Sequence, residues 1–83
     1  MPVTFKKSAI KALRSMQPKK AADIRAAIAE FAADPDRQDN NVTALVGVAG
    51  GVRIRVGDWR VSMVVSEDAV EVFEIAPRGS AYR

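Results

Sequence analysis

An 83-residue chain with 48% apolar and 28% charged side chains can form one small globular domain with a modest core, and it is too hydrophobic to stay disordered. It has no cysteine and no histidine, which excludes a disulfide framework, thiolate chemistry, His- or Cys-built metal sites and any histidine-based catalytic pair. The net charge of +3 is unevenly spread: residues 1–33 carry seven basic and two acidic side chains, 34–51 one and three, and 52–83 five of each, every basic residue of that last block being arginine.

In chain order, Val3-Thr4-Phe5 alternates apolar and polar and predicts a short strand. Ser8 is a candidate cap for a helix in which Ile10, Leu13 and Met16 recur at helical spacing, with Lys11 and Arg14 on the other side. Gln17-Pro18 ends it, because proline disfavours the helical conformation in the residue before it, and Pro18 suits the first turn of a second helix. Ala21, Ile24, Ile28 and Phe31 form the apolar stripe of that helix, and Asp34-Pro35 stops it. Asp34 to Asn41 reads as a loop, and Thr43 to Gly47 is too short to assign. Gly47, Gly50 and Gly51 bracket Val48 and Ala49 and predict a bend. Strands are then expected at 52–56, 59–66 and 70–76, the last two joined by a turn at Ser66-Glu67-Asp68-Ala69. In the last strand Val70, Val72, Phe73 and Ile75 break strict alternation, which leaves its register open. Glu71 and Glu74 are three residues apart, fall on opposite faces of a regular strand, and so predict no carboxylate site.

The expectation is one α+β domain spanning 1–83, in the order β-α-α-β-β-β, with a helical hairpin packed on one face of a small antiparallel sheet. No apolar run reaches the length of a membrane span, and the first residues lack the apolar core of a signal peptide, so a cytoplasmic protein without a membrane partner is expected. The early lysines, Lys6, Lys7, Lys11, Lys19 and Lys20, read as a solvated face able to add salt-dependent attraction to polyanions.

The stretch Val52-Arg53-Ile54-Arg55-Val56-Gly57-Asp58-Trp59-Arg60-Val61 carries the strongest signal. Gly57-Asp58 makes a two-residue hairpin loop, which pairs Val56 with Trp59, Arg55 with Arg60 and Ile54 with Val61. Val52, Ile54, Val56 and Trp59 then face the core, and Arg53, Arg55 and Arg60 share the opposite face. Like charges directly opposite one another destabilise a sheet, so a fold that keeps them has an anion to place there, unless the face is merely solvated. Further on, Ala76-Pro77-Arg78-Gly79-Ser80-Ala81-Tyr82-Arg83 adds Arg78 and Tyr82.

With these residues in hand, the chain resembles the RelE/ParE superfamily of bacterial toxins from type II toxin–antitoxin modules, more closely the RelE-like branch. The matching residues are Leu45 with Gly47, the Val52–Val61 hairpin, and Ile75-Ala76-Pro77-Arg78 through Tyr82-Arg83. Val46 stands where the family often has lysine, and Pro77 where histidine or another basic residue is frequent. The resemblance implies a ribosome-dependent mRNA endoribonuclease that uses attack of the substrate 2′-hydroxyl on the adjacent phosphate, with no metal or other cofactor. It also implies that Arg53, Arg55, Arg60, Arg78 and Tyr82 form the site. Arg60 and Arg78 would clamp the scissile phosphate, Arg53 and Arg55 would hold flanking phosphates, and Tyr82 would stack on a base or orient the 2′-hydroxyl. The implied partners are a cognate antitoxin and mRNA on the ribosome. The alternatives are a ParE-like toxin that binds DNA gyrase without nuclease chemistry, and a degenerate toxin that only binds its antitoxin.

Overall fold

The computed structural model describes residues 1–36 and 41–77. Its elements are β1 (Val3–Phe5), α1 (Lys7–Ser15), α2 (Pro18–Ala33), β2 (Val42–Ala44), β3 (Gly51–Val56), β4 (Trp59–Val65) and β5 (Val70–Pro77). The strands form one sheet in the order β1-β5-β4-β3-β2. β2 to β5 are antiparallel neighbours, and β1 joins β5 in parallel, Val3 opposite Val70. The α+β class and the helical hairpin on one sheet face are as expected. The structure adds β2, whose three residues are too few to show a period of two, and the parallel β1–β5 pair. No described helix is long and apolar enough to cross a membrane.

The core lies between the helices and one sheet face. α2 contributes Ala21, Ile24, Ile28 and Phe31, the stripe read from its spacing, and the sheet contributes Ile54, Val61, Met63, Val70, Val72 and Ile75. Burying side chains such as Ile24 and Met63 stabilises by about 1.5–3 kcal/mol each. Trp59 packs against this core with Val56, as the hairpin register requires. α1 departs from its expected stripe. Ala9 and Leu13 are buried and Met16 packs beside them, while Ile10 is left 37% exposed. Ala9, Leu13 and Met16 are spaced i, i+4, i+7, an equally good helical stripe, and small Ala9 lets the helix come close to β5.

Ser8 is also reassigned. α1 starts at Lys7 after an N-cap at Lys6, and the Ser8 hydroxyl donates instead to the Phe73 carbonyl, at 3.1 Å. That carbonyl belongs to a β-bulge. Ser62 pairs with Glu74 and Met63 with Val72, so Phe73 is the extra residue of β5. The bulge is the reason that Val72 and Ile75, three apart, both point into the core. Because the Ser8 contact is solvent-exposed, Ser8→Ala is expected to cost only about 0.5–1 kcal/mol, read as a melting temperature lower by a few degrees.

Two glycine-dependent bends shape the β3 hairpin. Gly57 has φ +60° and no other residue of its loop has positive φ, the pattern of a type II′ turn, which matches strand twist. Gly50, at φ +70°, sits so close to β4 that a Cβ there would lie 2.5 Å from the Val65 carbonyl oxygen, while its own carbonyl accepts the Val65 N–H at 2.9 Å.

Candidate nucleic-acid interface

The sheet face turned away from the helices carries the arginines. Arg55 pairs with Arg60 across β3 and β4, and Arg53 lies two residues earlier on β3, so the three guanidinium groups share one face as the sequence predicts. The Arg55 N–H bonds sideways to the Asn41 carbonyl at 3.0 Å, so it is not directed at β4. Arg55 and Arg60 therefore form a non-hydrogen-bonded pair, the kind in which opposed side chains stand closest. Their repulsion is correspondingly strong, and a bound phosphate between them would reverse its sign.

Burial grades the three. Arg55 is exposed, Arg53 and Arg60 are half-buried, and Arg60 Nε is shielded from solvent. Arg55 Nη2 donates to Asn41 Oδ1 at 3.4 Å. This acceptor is a neutral amide, so the contact aims the guanidinium without cancelling its charge. Such a face has the chemistry to bind phosphate by charge-assisted, forked hydrogen bonds, since arginine keeps its charge at any working pH.

Rows across the sheet define the surroundings. Thr43, Arg53, Ser62 and Glu74 form one row, and Arg55, Arg60 and Ala76 the next. Ser62 is only 5% exposed although it lies between the core residues Val61 and Met63 and so faces away from the helices. The bulge overturns the expectation for the two glutamates: it carries Glu71 and Glu74 to the same, arginine-bearing face. Glu71 lies 3.8 Å from Lys6 Nζ at the β1 edge. Arg78 and Tyr82 lie outside the described residues.

Other neighbours of this face were not tied to the hairpin by the sequence. Lys20 reaches from α2 to the hairpin tip, where its Nζ would stand 3.2 Å from a Cβ on Gly57. Asn41 follows a polar loop, and nothing in the spacing ties it to Arg55. Val46 is fully exposed on the β2–β3 connection, so the lysine that the resembling family often has there would project into solvent. Beyond the arginine face, a cavity of about 130 Å³ opens between α2 and the β2–β3 edge, lined by Ala27, Phe31, Val42 and Ile54 and rimmed by Glu30, Asp34, Asn41 and Arg55.

No protein-family model and no curated protein matches the chain. Solved structures do. RelE in the archaeal RelE–RelB complex from Pyrococcus horikoshii OT3 is similar at 25% identity and a TM-score of 0.79, with 94% of each chain covered. The isolated Escherichia coli RelE toxin is similar at 20% identity and a TM-score of 0.77, over 98% of this chain and 89% of that one. The RelB–RelE antitoxin–toxin complex from Methanococcus jannaschii is similar at 22% identity and a TM-score of 0.72, over 95% and 94%.

Proposed function

We propose that this chain, which carries the RelE toxin fold, is the toxin of a bacterial type II toxin–antitoxin pair and cleaves mRNA on the ribosome in the cytoplasm. The observation that carries the reading is the face of Arg53, Arg55 and Arg60, three fixed positive charges held together by strand register against their own repulsion. The similar proteins from Pyrococcus horikoshii and Methanococcus jannaschii were solved in complex with RelB, which supports a cognate antitoxin as this chain's partner. An antitoxin segment bearing acidic side chains would cover the arginines and block the face by occlusion.

The chemistry follows from side chains the fold supplies. The phosphate next to the attacked 2′-hydroxyl gains negative charge in the transition state. Arg60, with its shielded Nε, would stabilise that charge, and Arg53 and Arg55 would hold the flanking backbone. Arg78 and Tyr82 complete the set that the resemblance assigns, with Tyr82 stacking on a base or orienting the 2′-hydroxyl. The ribosome would supply the in-line positioning that an open face of this kind does not impose alone.

The test is a reconstituted translation reaction in which mRNA 5′ ends are mapped with and without the purified chain. New ends inside ribosome-occupied codons are expected, and none on the same mRNA free of ribosomes. Intact mRNA with undiminished protein synthesis would sink the nuclease reading, and inhibition of gyrase supercoiling would then identify a ParE-like toxin instead.

A further inference from the structure

Arginine does not accept a proton at working pH, so the three-arginine face lacks a group to take the 2′-hydroxyl proton. We infer that Glu74, brought onto this face by the β5 bulge, is the general base of the cleavage reaction. The inference rests on the nuclease reading above.

The geometry is set by register. Glu74 pairs with Ser62, and Ser62 with Arg53, so Glu74 and Arg53 sit two strands apart in one row, about 10 Å between backbones. Arg60 pairs with Ala76, two residues on from Glu74, which makes Arg60 and Glu74 diagonal neighbours about 7–8 Å apart. Side chains this long meet around a phosphate placed between Arg53 and Arg60. Glu74 is exposed, while its neighbour Ile75 is buried in the core, so its carboxylate is on the substrate side. In a regular strand without the bulge, Glu74, two residues on from Val72, would share its face and point at the helices. Glu71, one row away, is engaged with Lys6 and is not equivalent.

In the step, a Glu74 carboxylate oxygen takes the 2′-hydroxyl proton while the 2′-oxygen bonds to the adjacent phosphorus. The bond from phosphorus to the 5′-oxygen breaks, and that oxygen takes a proton from solvent. One product ends in a 2′,3′-cyclic phosphate and the other in a 5′-hydroxyl. No oxidant, reductant or metal enters the balance.

The experiment measures single-turnover cleavage of mRNA on stalled ribosomes by the wild type, Glu74→Gln, Glu74→Ala and Glu71→Gln, each checked for an unchanged melting temperature. Glu74→Gln and Glu74→Ala are expected to cleave at least about 100-fold more slowly with ribosome affinity retained, and Glu71→Gln within about twofold of wild type. The wild-type rate should fall on acidification and that of Glu74→Gln should not. The charged groups facing Glu74, namely Lys6, Glu71, Arg53 and Arg60, are all kept in Glu74→Gln, so a pH dependence of their making would persist in it. A Glu74→Gln protein that cleaves as fast as wild type, or faster with tighter binding, overturns the assignment, since that is what mere neutralisation of the arginines predicts. No cleavage by the wild type overturns the nuclease reading and the Glu74 role with it.

Discussion

Arg60→Ala is expected to reduce ribosome-dependent mRNA cleavage by about 10²–10³-fold while leaving the chain as stable as before or slightly more so. The loss follows from position. Arg60 stands at the centre of the face, opposite Arg55 on one side and Ala76 on the other, with its Nε shielded from water. A guanidinium so placed points its fork at one spot, where an alanine offers nothing and a lysine offers a point charge. Stability should not fall, because the substitution removes a like-charge pair that costs up to about 1 kcal/mol across a sheet. The check is paired, with cleavage rate from mapped mRNA ends and melting temperature from circular dichroism. A variant that loses activity only in proportion to lost folded protein would remove Arg60 from the site. Arg55→Ala should do less, about tenfold, because Arg55 is exposed and serves the flanking backbone rather than the reacting phosphate.

The largest effect on stability is expected from Gly50→Ala, about 3 kcal/mol. Two penalties combine there. A side chain at φ +70° costs about 1–2 kcal/mol, and the added Cβ would meet the Val65 carbonyl oxygen at 2.5 Å. Moving that oxygen away means distorting β4 where Val65 N–H bonds to the Gly50 carbonyl. Gly47→Ala separates the two penalties. Gly47 has φ +81° but open space around its Cβ position, so only the backbone cost of about 1–2 kcal/mol should appear. Urea midpoints of the two variants would show the difference. Equal losses would mean that the Val65 contact relaxes freely.

Much of this was legible in the chain, for identifiable reasons. The arginine hairpin could be registered residue by residue because a glycine-led two-residue loop leaves one pairing. The α2 stripe was readable because its four apolar positions recur at steps of three and four residues and the helix is bounded by proline-containing dipeptides. The misreadings share another cause, namely that a neighbouring element decided the outcome. Ile10 lost its place to Ala9 because the approach of α1 to β5 favours the smaller residue. Ser8 turned from a cap into a partner of Phe73, which is distant in sequence. Glu74 changed faces because one residue bulges, and the only trace of that in the sequence was the broken alternation around Val72 and Phe73. The places of Arg78 and Tyr82 remain expectations drawn from the resemblance.

The parallel pairing of Val3 with Val70 has a consequence for how the chain folds and how the edge of its sheet is covered. That contact joins segments far apart in sequence, so it is among the last to form as the chain folds, after the local β3–β4–β5 hairpins. Until it forms, Val70, Val72 and their neighbours present a bare row of amide groups on an apolar strand, which is a template for pairing with another chain. β1 therefore acts as a guard for β5: a chain cut after Phe5 should retain its arginine hairpin yet associate through the uncovered edge, growing in apparent mass with concentration where the intact chain does not.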